Sequence, residues 1–461
     1  MRRHLDAKLL FPAVMLVLAG LIRLSISSPI IAIGAIGAVT YSIILAKAGL
    51  WRTMVGTSIL ISVLRSGPPS SLLGEGAWYA LQFAPILIAW LALLSNKPDQ
   101  VRRSDRNVIL CLALFAVAAL ATNLTSLAPS STLPQSLLLA GMSGFLAFTY
   151  TRRWTSEDLL RGDVTMVFVL VTAIQLAGVA AIFVGQSWPF DPDYGRYRGL
   201  FSNANYAGMM SAIGIAVGLY LLRVSRRGRP AIVMSVAVLA VGLLMSGSRG
   251  ALVALGIGIV VLMLSRSGRK VVIPLVSLVG VGLIFAALIY PQIFDALDKF
   301  FLRDSASPDV TSGRLDIYAG MLRLFQLTPF TGTGFRTVEV LSPASSGLAG
   351  HNIYLTVLTE TGLFGAFLFV GLVFAIVVAS RAGKTGRPLL LVVVTVAAAE
   401  LTESSIYGWG GPTAISAWLL ILAFAANGRF LKDKPPFVDG LVPNESPSEI
   451  VPKRLLASSL G

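Results

Sequence analysis

Cysteine is almost missing from this chain: Cys111 stands alone in 461 residues, so no intramolecular disulfide and no CxxC redox or metal pair can form. Histidine is nearly as scarce. With only His4 and His351, a histidine-rich metal centre has no ligands to draw on, and no HExxH motif is present. A phosphate loop for nucleotides is absent too, because Gly332-Thr333-Gly334 is not followed by GKS or GKT. Charge is thin at 13% of residues, and thinnest on the acidic side, with 22 acids against 37 bases. So little polar surface cannot cover a soluble domain.

What fills the chain instead is apolar, 55% hydrophobic residues with a mean hydropathy of +0.78. Runs suited to membrane helices stand at roughly 8–26, 29–46, 50–65, 76–94, 107–125, 133–150, 163–185, 201–222, 230–247, 250–265, 270–290, 353–379, 387–404 and 412–428. The expected fold is an all-α polytopic membrane protein of about 12–14 transmembrane helices. The run at 50–65 is the weakest, being short and opening on Trp51-Arg52, and is kept because the alternation of sides fails without it. The opening Met1-Arg2-Arg3-His4 imitates a signal peptide, but Ser27-Ser28-Pro29 leads directly into another apolar run, so an uncleaved first helix is expected. Basic residues crowd alternate loops: Lys97, Arg102, Arg103 and Arg106, then Arg223, Arg226, Arg227 and Arg229, then Arg381, Lys384 and Arg387. The positive-inside rule puts those loops, and both termini, in the cytoplasm. The net charge of +15 is then a topology signal and a contact for membrane lipids rather than a nucleic-acid surface.

Most connections are short, as in hairpins of one bundle. Two loops on the extracytoplasmic side depart from that. The smaller, 186–200, carries the turn-rich Trp188-Pro189-Phe190-Asp191-Pro192 before Gly195-Arg196-Tyr197-Arg198-Gly199. The larger, 291–350, holds a surface helix over Ile293, Phe294, Leu297, Phe300 and Phe301, and a second helix capped at Thr311 or Ser312 with a stripe of Leu315, Tyr318, Leu322 and Phe325. A flexible turn at Thr331-Gly332-Thr333-Gly334 ends it, and a mobile flap from Ser342 to Gly350 precedes His351. The chain divides into N-terminal helices at 1–190, a core at 191–430 that includes the large loop, and a disordered cytoplasmic tail at 431–461.

His351 opens an apolar helix in Gly350-His351-Asn352-Ile353-Tyr354-Leu355. The positive field of a helix start keeps an imidazole neutral and able to take a proton. As a structural cap, the same ring would instead hold a loop carbonyl. Arg198, Arg249 and Arg314 sit in short polar interruptions on the same side of the membrane. Singly, each fits interfacial snorkelling equally well. Arg314 stands at a helix start, where a cation is unwelcome, which calls for an anionic partner, either Asp316 or a ligand phosphate. As a set, guanidinium groups around one base suit a pyrophosphate whose charge grows as it leaves, with no metal needed.

These segments resemble the O-antigen ligase and polymerase superfamily of bacterial inner-membrane glycosyltransferases. The resemblance lies in Arg198-Gly199-Leu200-Phe201-Ser202-Asn203-Ala204-Asn205, Ser246-Gly247-Ser248-Arg249-Gly250-Ala251, Ser312-Gly313-Arg314-Leu315, Pro329-Phe330-Thr331-Gly332-Thr333-Gly334, and His351-Asn352-Ile353-Tyr354-Leu355 followed by Glu360-Thr361-Gly362. It covers about 195–380. It implies a GT-C-like helical bundle with a large periplasmic loop and a polyprenyl-pyrophosphate-linked glycan donor. Arg198, Arg249 and Arg314 would hold the pyrophosphate and His351 would accept the proton of an attacking hydroxyl. Arg196, Asn205, Asn352 and Glu360 would support them, without a cofactor. The acceptor, a glycan or lipid A core, stays open, as does transfer to a protein. A transporter or flippase of lipid-linked oligosaccharide is the reading of another class, although nearly charge-free spans favour chemistry at the interface over transport.

Overall fold

The computed structural model describes residues 49–66, 75–94, 102–191, 195–225, 228–264, 269, 273, 314–341, 351–380, 389–407 and 411–430. The expected spans at 8–26, 29–46 and 270–290, the surface helix at 293–301, the flap at 342–350 and the tail lie outside the described residues. Among the described residues there are thirteen α-helices and no strand, which makes the chain an all-α polytopic membrane protein. They are α1 Leu50–Ser66, α2 Glu75–Leu94, α3 Arg103–Ala121, α4 Pro129–Phe148, α5 Glu157–Phe183, α6 Ala204–Val224 and α7 Arg229–Ser246. The rest are α8 Arg249–Met263, α9 Arg314–Leu327, α10 Val338–Leu341, α11 Ile353–Ser380, α12 Leu390–Ala399 and α13 Pro412–Phe430.

Five helices, α3 with its 3-10 extension, α5, α6, α7 and α11, are long and apolar enough to cross a membrane. Their burial separates centre from rim. In α6 83% of the apolar window is buried within the protein, against 28% in α7, so α6 is the axis and α7 an outer stave. Glycines make the axis narrow enough to be enclosed: at Gly208 a Cβ would meet Ser246 Oγ and Ser248 Cβ at 2.5 Å, and at Gly218 it would meet Val236 at 2.5 Å. α5, α7, α8 and α12 all pack on this helix.

Two expected spans are corrected. Of the run 387–404, the described residues from 389 onward are helical over Leu390–Ala399, and a non-helical segment with one 3-10 turn, Ser405–Tyr407, follows. Glu400 and Glu403 explain the early stop, because extending the helix would carry two carboxylates onward through an apolar span, whereas the turn lets each find donors. The run 353–379 is broken inside α11 at Gly362, whose φ of 65° and ψ of −172° are not helical. Such a break frees backbone groups, and the turn at 329–334 takes them up. Thr333 N donates to Thr359 O at 3.0 Å and Gly334 N to Glu360 O at 3.1 Å, while Leu363 N and Phe364 N donate to Pro329 O and Phe330 O. The turn expected to be flexible is therefore tied down on both sides, with Thr333 and Phe335 buried.

On α9 the expected stripe is not the edge that is buried. The buried stripe is Ile317 and Met321, packed with Val338, Tyr318 and Leu355, whereas the expected Leu315 and Leu322 are exposed. Periodicity alone could not choose between two apolar edges of one helix.

Candidate functional site

The loop 186–200 is short of regular structure yet pinned at its centre. The Tyr197 hydroxyl donates to Gln175 Oε1 at 2.9 Å, and the Gln175 amide donates in turn to Ala207 O and Ser211 Oγ, both at 2.8 Å. A buried amide between α5 and α6 thus fixes the two arginines flanking Tyr197. Arg196 Nε donates to Ser246 O and its Nη2 to Asn205 Oδ1, both at 2.8 Å. Arg198 turns back on its own loop, with Nε donating to Trp188 O at 3.4 Å.

Asn205 lies in the first turn of α6, whose N-cap is Asn203, and its amide donates to Glu403 Oε1 at 2.9 Å. Two further groups reach the same carboxylate. Arg314 Nη2 meets Oε1 at 3.1 Å, and His351 Nδ1 meets Oε2 at 3.1 Å. Glu403 is buried and collects donors from α6, α9 and the segment before α11. A neutral imidazole that donates from Nδ1 to Glu403 keeps Nε2 as its acceptor nitrogen.

The backbone around this cluster is equally specified. Glu400 accepts from Ser405 Oγ and Ile406 N, folding the turn that presents Glu403, and its carbonyl accepts from Ile353 N at 3.1 Å. Asn352 caps α11, its Oδ1 accepting from Leu355 N at 3.0 Å, while its amide donates to Leu401 O at 3.2 Å. His351 itself has φ of 50°, a left-handed conformation that costs a non-glycine residue about 1–3 kcal/mol. Two bonds hold it there, the Glu403 contact and the Tyr318 hydroxyl donating to His351 O at 3.0 Å. Burial first, and Glu403 with it, push the Tyr318 phenol above its ordinary value, while Arg314 and Asn352 pull the other way.

Of the expected residues, then, Arg314, His351, Asn205 and, through Asn205, Arg196 meet at one carboxylate. Arg249 opens α8, and a Cβ on the adjacent Gly250 would lie 2.3 Å from Thr402 Oγ1, so the chain one residue from Arg249 touches the chain one residue from Glu403. Arg198 has no bond to the cluster among those described. Glu360 serves elsewhere: its oxygens accept from Arg336 N at 2.6 Å and Val338 N at 2.9 Å, capping the short α10. Sequence reasoning missed Glu403. The available signal was a pair of acids, Glu400 and Glu403, in an otherwise acid-free stretch from 389 to 430.

Helices packed around one axis, with His351 and Arg314 on the Glu403 carboxylate and Arg196 joined to it through Asn205, form a polytopic membrane protein with a polar cluster between its helices. Residues 234–370 match the family model described as O-antigen ligase, which supports the resemblance to the O-antigen ligase and polymerase superfamily. The match runs from α7 into α11 and includes Arg249, Arg314 and His351, while Arg196, Arg198, Asn205 and Glu403 fall outside it. No curated protein matches the chain.

Proposed function

We propose that this chain is a glycosyltransferase that transfers or polymerises a glycan from a polyprenyl-pyrophosphate donor at the periplasmic face of the bacterial inner membrane, as an O-antigen ligase or polysaccharide polymerase. The observation that carries the reading is the triad of Glu403, His351 and Arg314. A carboxylate that fixes Nδ1–H leaves Nε2 directed by the ring geometry toward an incoming hydroxyl, with a guanidinium next door for the leaving group. In the reaction, the acceptor oxygen forms a bond to the anomeric carbon, its proton passes to Nε2, and the bond to the pyrophosphate oxygen breaks with the electron pair leaving on the phosphate. Arg314, Arg249 and Arg198 hold that growing charge, so no metal is called for. Arg196 and Asn205 position Glu403, and Asn352 positions the start of α11.

The broken helix at Gly362 is the one feature that would suit a transporter or flippase, since such proteins use interrupted helices as binding sites. Here the freed groups at 359, 360, 363 and 364 bond to the turn 329–334, which leaves them no part in cargo binding. Purified protein incubated with a polyprenyl-pyrophosphate glycan, and separately with lipid A core, free repeat units or a pilin-like protein as acceptor, tests the reading. A glycan-extended product in one arm is expected and names the acceptor. Donor bound or moved across the bilayer but never consumed overturns it, and activity that requires a divalent metal and disappears with chelator overturns the arginine scheme.

A further inference from the structure

The helix α9 has two apolar edges that point in different directions. Ile317 and Met321 are buried against Val338 and Leu355, but Leu315, Ala319 and Leu322 form a second line at helical spacing, with Leu315 63% and Leu322 46% exposed. Asp316 and Arg323 are exposed on the neighbouring edge, and in the last turn the exposed Gln326 continues the apolar line while Leu327 continues the charged one. Just beyond the helix, Phe330 is 71% exposed.

The depth of Phe330 is fixed by its carbonyl, which accepts from Phe364 N at the start of the second segment of α11. Residues 363–380 contain no charge and rise about 27 Å at about 1.5 Å per residue, close to the roughly 30 Å of a hydrocarbon core. The first segment, 353–361, carries Thr356, Thr359, Glu360 and Thr361, all buried against protein. The break at Gly362 therefore separates an uncharged segment from one whose polar groups are buried against protein. From there the outward face of α11 continues as Phe364, Phe367, Val370 and Phe374, each exposed and apolar, and Phe330 adjoins its first member.

We infer that α9 and the turn after it rest on the bilayer leaflet into which the site opens, with Leu315, Leu322 and Phe330 entering the acyl chains and Arg323 among the phosphate headgroups. An apolar strip beside a charged one, continuous with a lipid-facing span, fits a lipid surface. Arg314, the residue before Leu315, is thereby held at headgroup depth, where the phosphates of a membrane-bound substrate lie. The inference rests on α11 crossing the membrane and not on the proposed reaction, so either can fail alone.

The test uses the full chain with Cys111→Ser in vesicles of phosphatidylethanolamine and phosphatidylglycerol, with a single cysteine placed by Leu315→Cys, Leu322→Cys, Phe330→Cys, Asp316→Cys or Arg323→Cys and spin-labelled. Collision with oxygen should exceed collision with a water-soluble nickel chelate several-fold at positions 315, 322 and 330, and the order should reverse at 316 and 323. Greater chelate access at 322 and 330 puts the strip in water and overturns the inference. Low access to both reagents there means that protein, whether a second copy or another part of the chain, covers the strip, and overturns it equally. As an independent measurement, Leu322→Trp and Phe330→Trp should add fluorescence that lipids brominated along the acyl chain quench, and unquenched added fluorescence would contradict the lipid contact.

Discussion

Two buried carboxylates, Asp163 and Glu403, lie toward opposite ends of the α5–α6 pair, the first two residues from Arg161, which faces Tyr220 near the end of α6, and the second bonded to Asn205 in the first turn of α6, and they are built for different ends. Asp163, in the first turns of α5, accepts from Arg52 Nε, from Arg153 Nε at 3.0 Å and Nη2 at 3.1 Å, and from the Trp154 indole at 3.1 Å. Arg153 also lies over the Trp51 ring, 5.1 Å from its centroid. Glu403, near the far end, accepts from Asn205, Arg314 and His351. Their side chains are 4% and 9% exposed, so burial does not distinguish them. Their partners do. Asp163 is surrounded by groups with no proton to exchange near neutrality, which join α1, the turn after α4 and α5 into one rivet. Glu403 orients an imidazole, the side chain whose charge can change in that range, and shares its oxygens with a guanidinium that sits at the bundle's end.

Removing the base should produce the largest difference between the two ends. His351→Ala is expected to lower glycan transfer by about 100- to 10,000-fold, the usual worth of a positioned acid or base, while the protein remains inserted and its thermal unfolding barely moves. Transfer at the native rate by the purified variant would remove His351 from the reaction. The converse change is Asp163→Asn, which leaves two guanidinium groups facing a neutral amide. Breaking a buried pair in this way costs about 3–5 kcal/mol, so a lower melting temperature and reduced yield are expected, with an unchanged turnover per folded molecule. If turnover per folded molecule falls instead, Asp163 is not merely a rivet.

Arg249→Lys tests the cationic half of the site. An ammonium keeps the charge but loses the fork geometry, and each charge-assisted bond lost is worth about 1.5–3 kcal/mol, so transfer should fall by roughly tenfold or more, with KM for the donor rising. A lysine variant as active as the native chain would make Arg249 a structural residue of the turn at 246–250.

Much of this organisation could be read in advance. Apolar runs gave the all-helical membrane class, and the scarcity of histidine drew attention to His351, because a lone imidazole next to an apolar helix has few rivals. Arg314 at a helix start called for an anion, and the carboxylate it meets in the structure is not the neighbouring Asp316 but Glu403, 89 residues away. Nothing local announces such a distant partner. The broken helix was hidden for a related reason: Gly362 lies in a run whose hydropathy is continuous, and the backbone donors and acceptors of the turn 329–334 satisfy the groups the interruption frees. On α9 both edges are apolar, and only burial against Leu355 and Val338 shows that Ile317 and Met321, rather than the expected stripe, face the protein.

A subtler probe separates orientation from charge at Glu403. In Glu403→Gln the side-chain oxygen can still accept from Nδ1–H, yet the amide nitrogen now faces Arg314 or Asn205, both of which donate. Transfer should fall by about 10- to 100-fold, the range seen when a group that orients an imidazole through its second nitrogen is lost, with kcat affected more than KM. Glu403→Asp keeps the charge but shortens the reach, and should restore Arg314 contact better than it restores the His351 contact at Nδ1. If Glu403 were a rivet like Asp163, both variants would lower the melting temperature and leave the pH profile of kcat where it was. A shifted pH profile with little change in melting temperature is the outcome that places Glu403 behind His351 in the reaction, and its absence would make the two carboxylates alike after all.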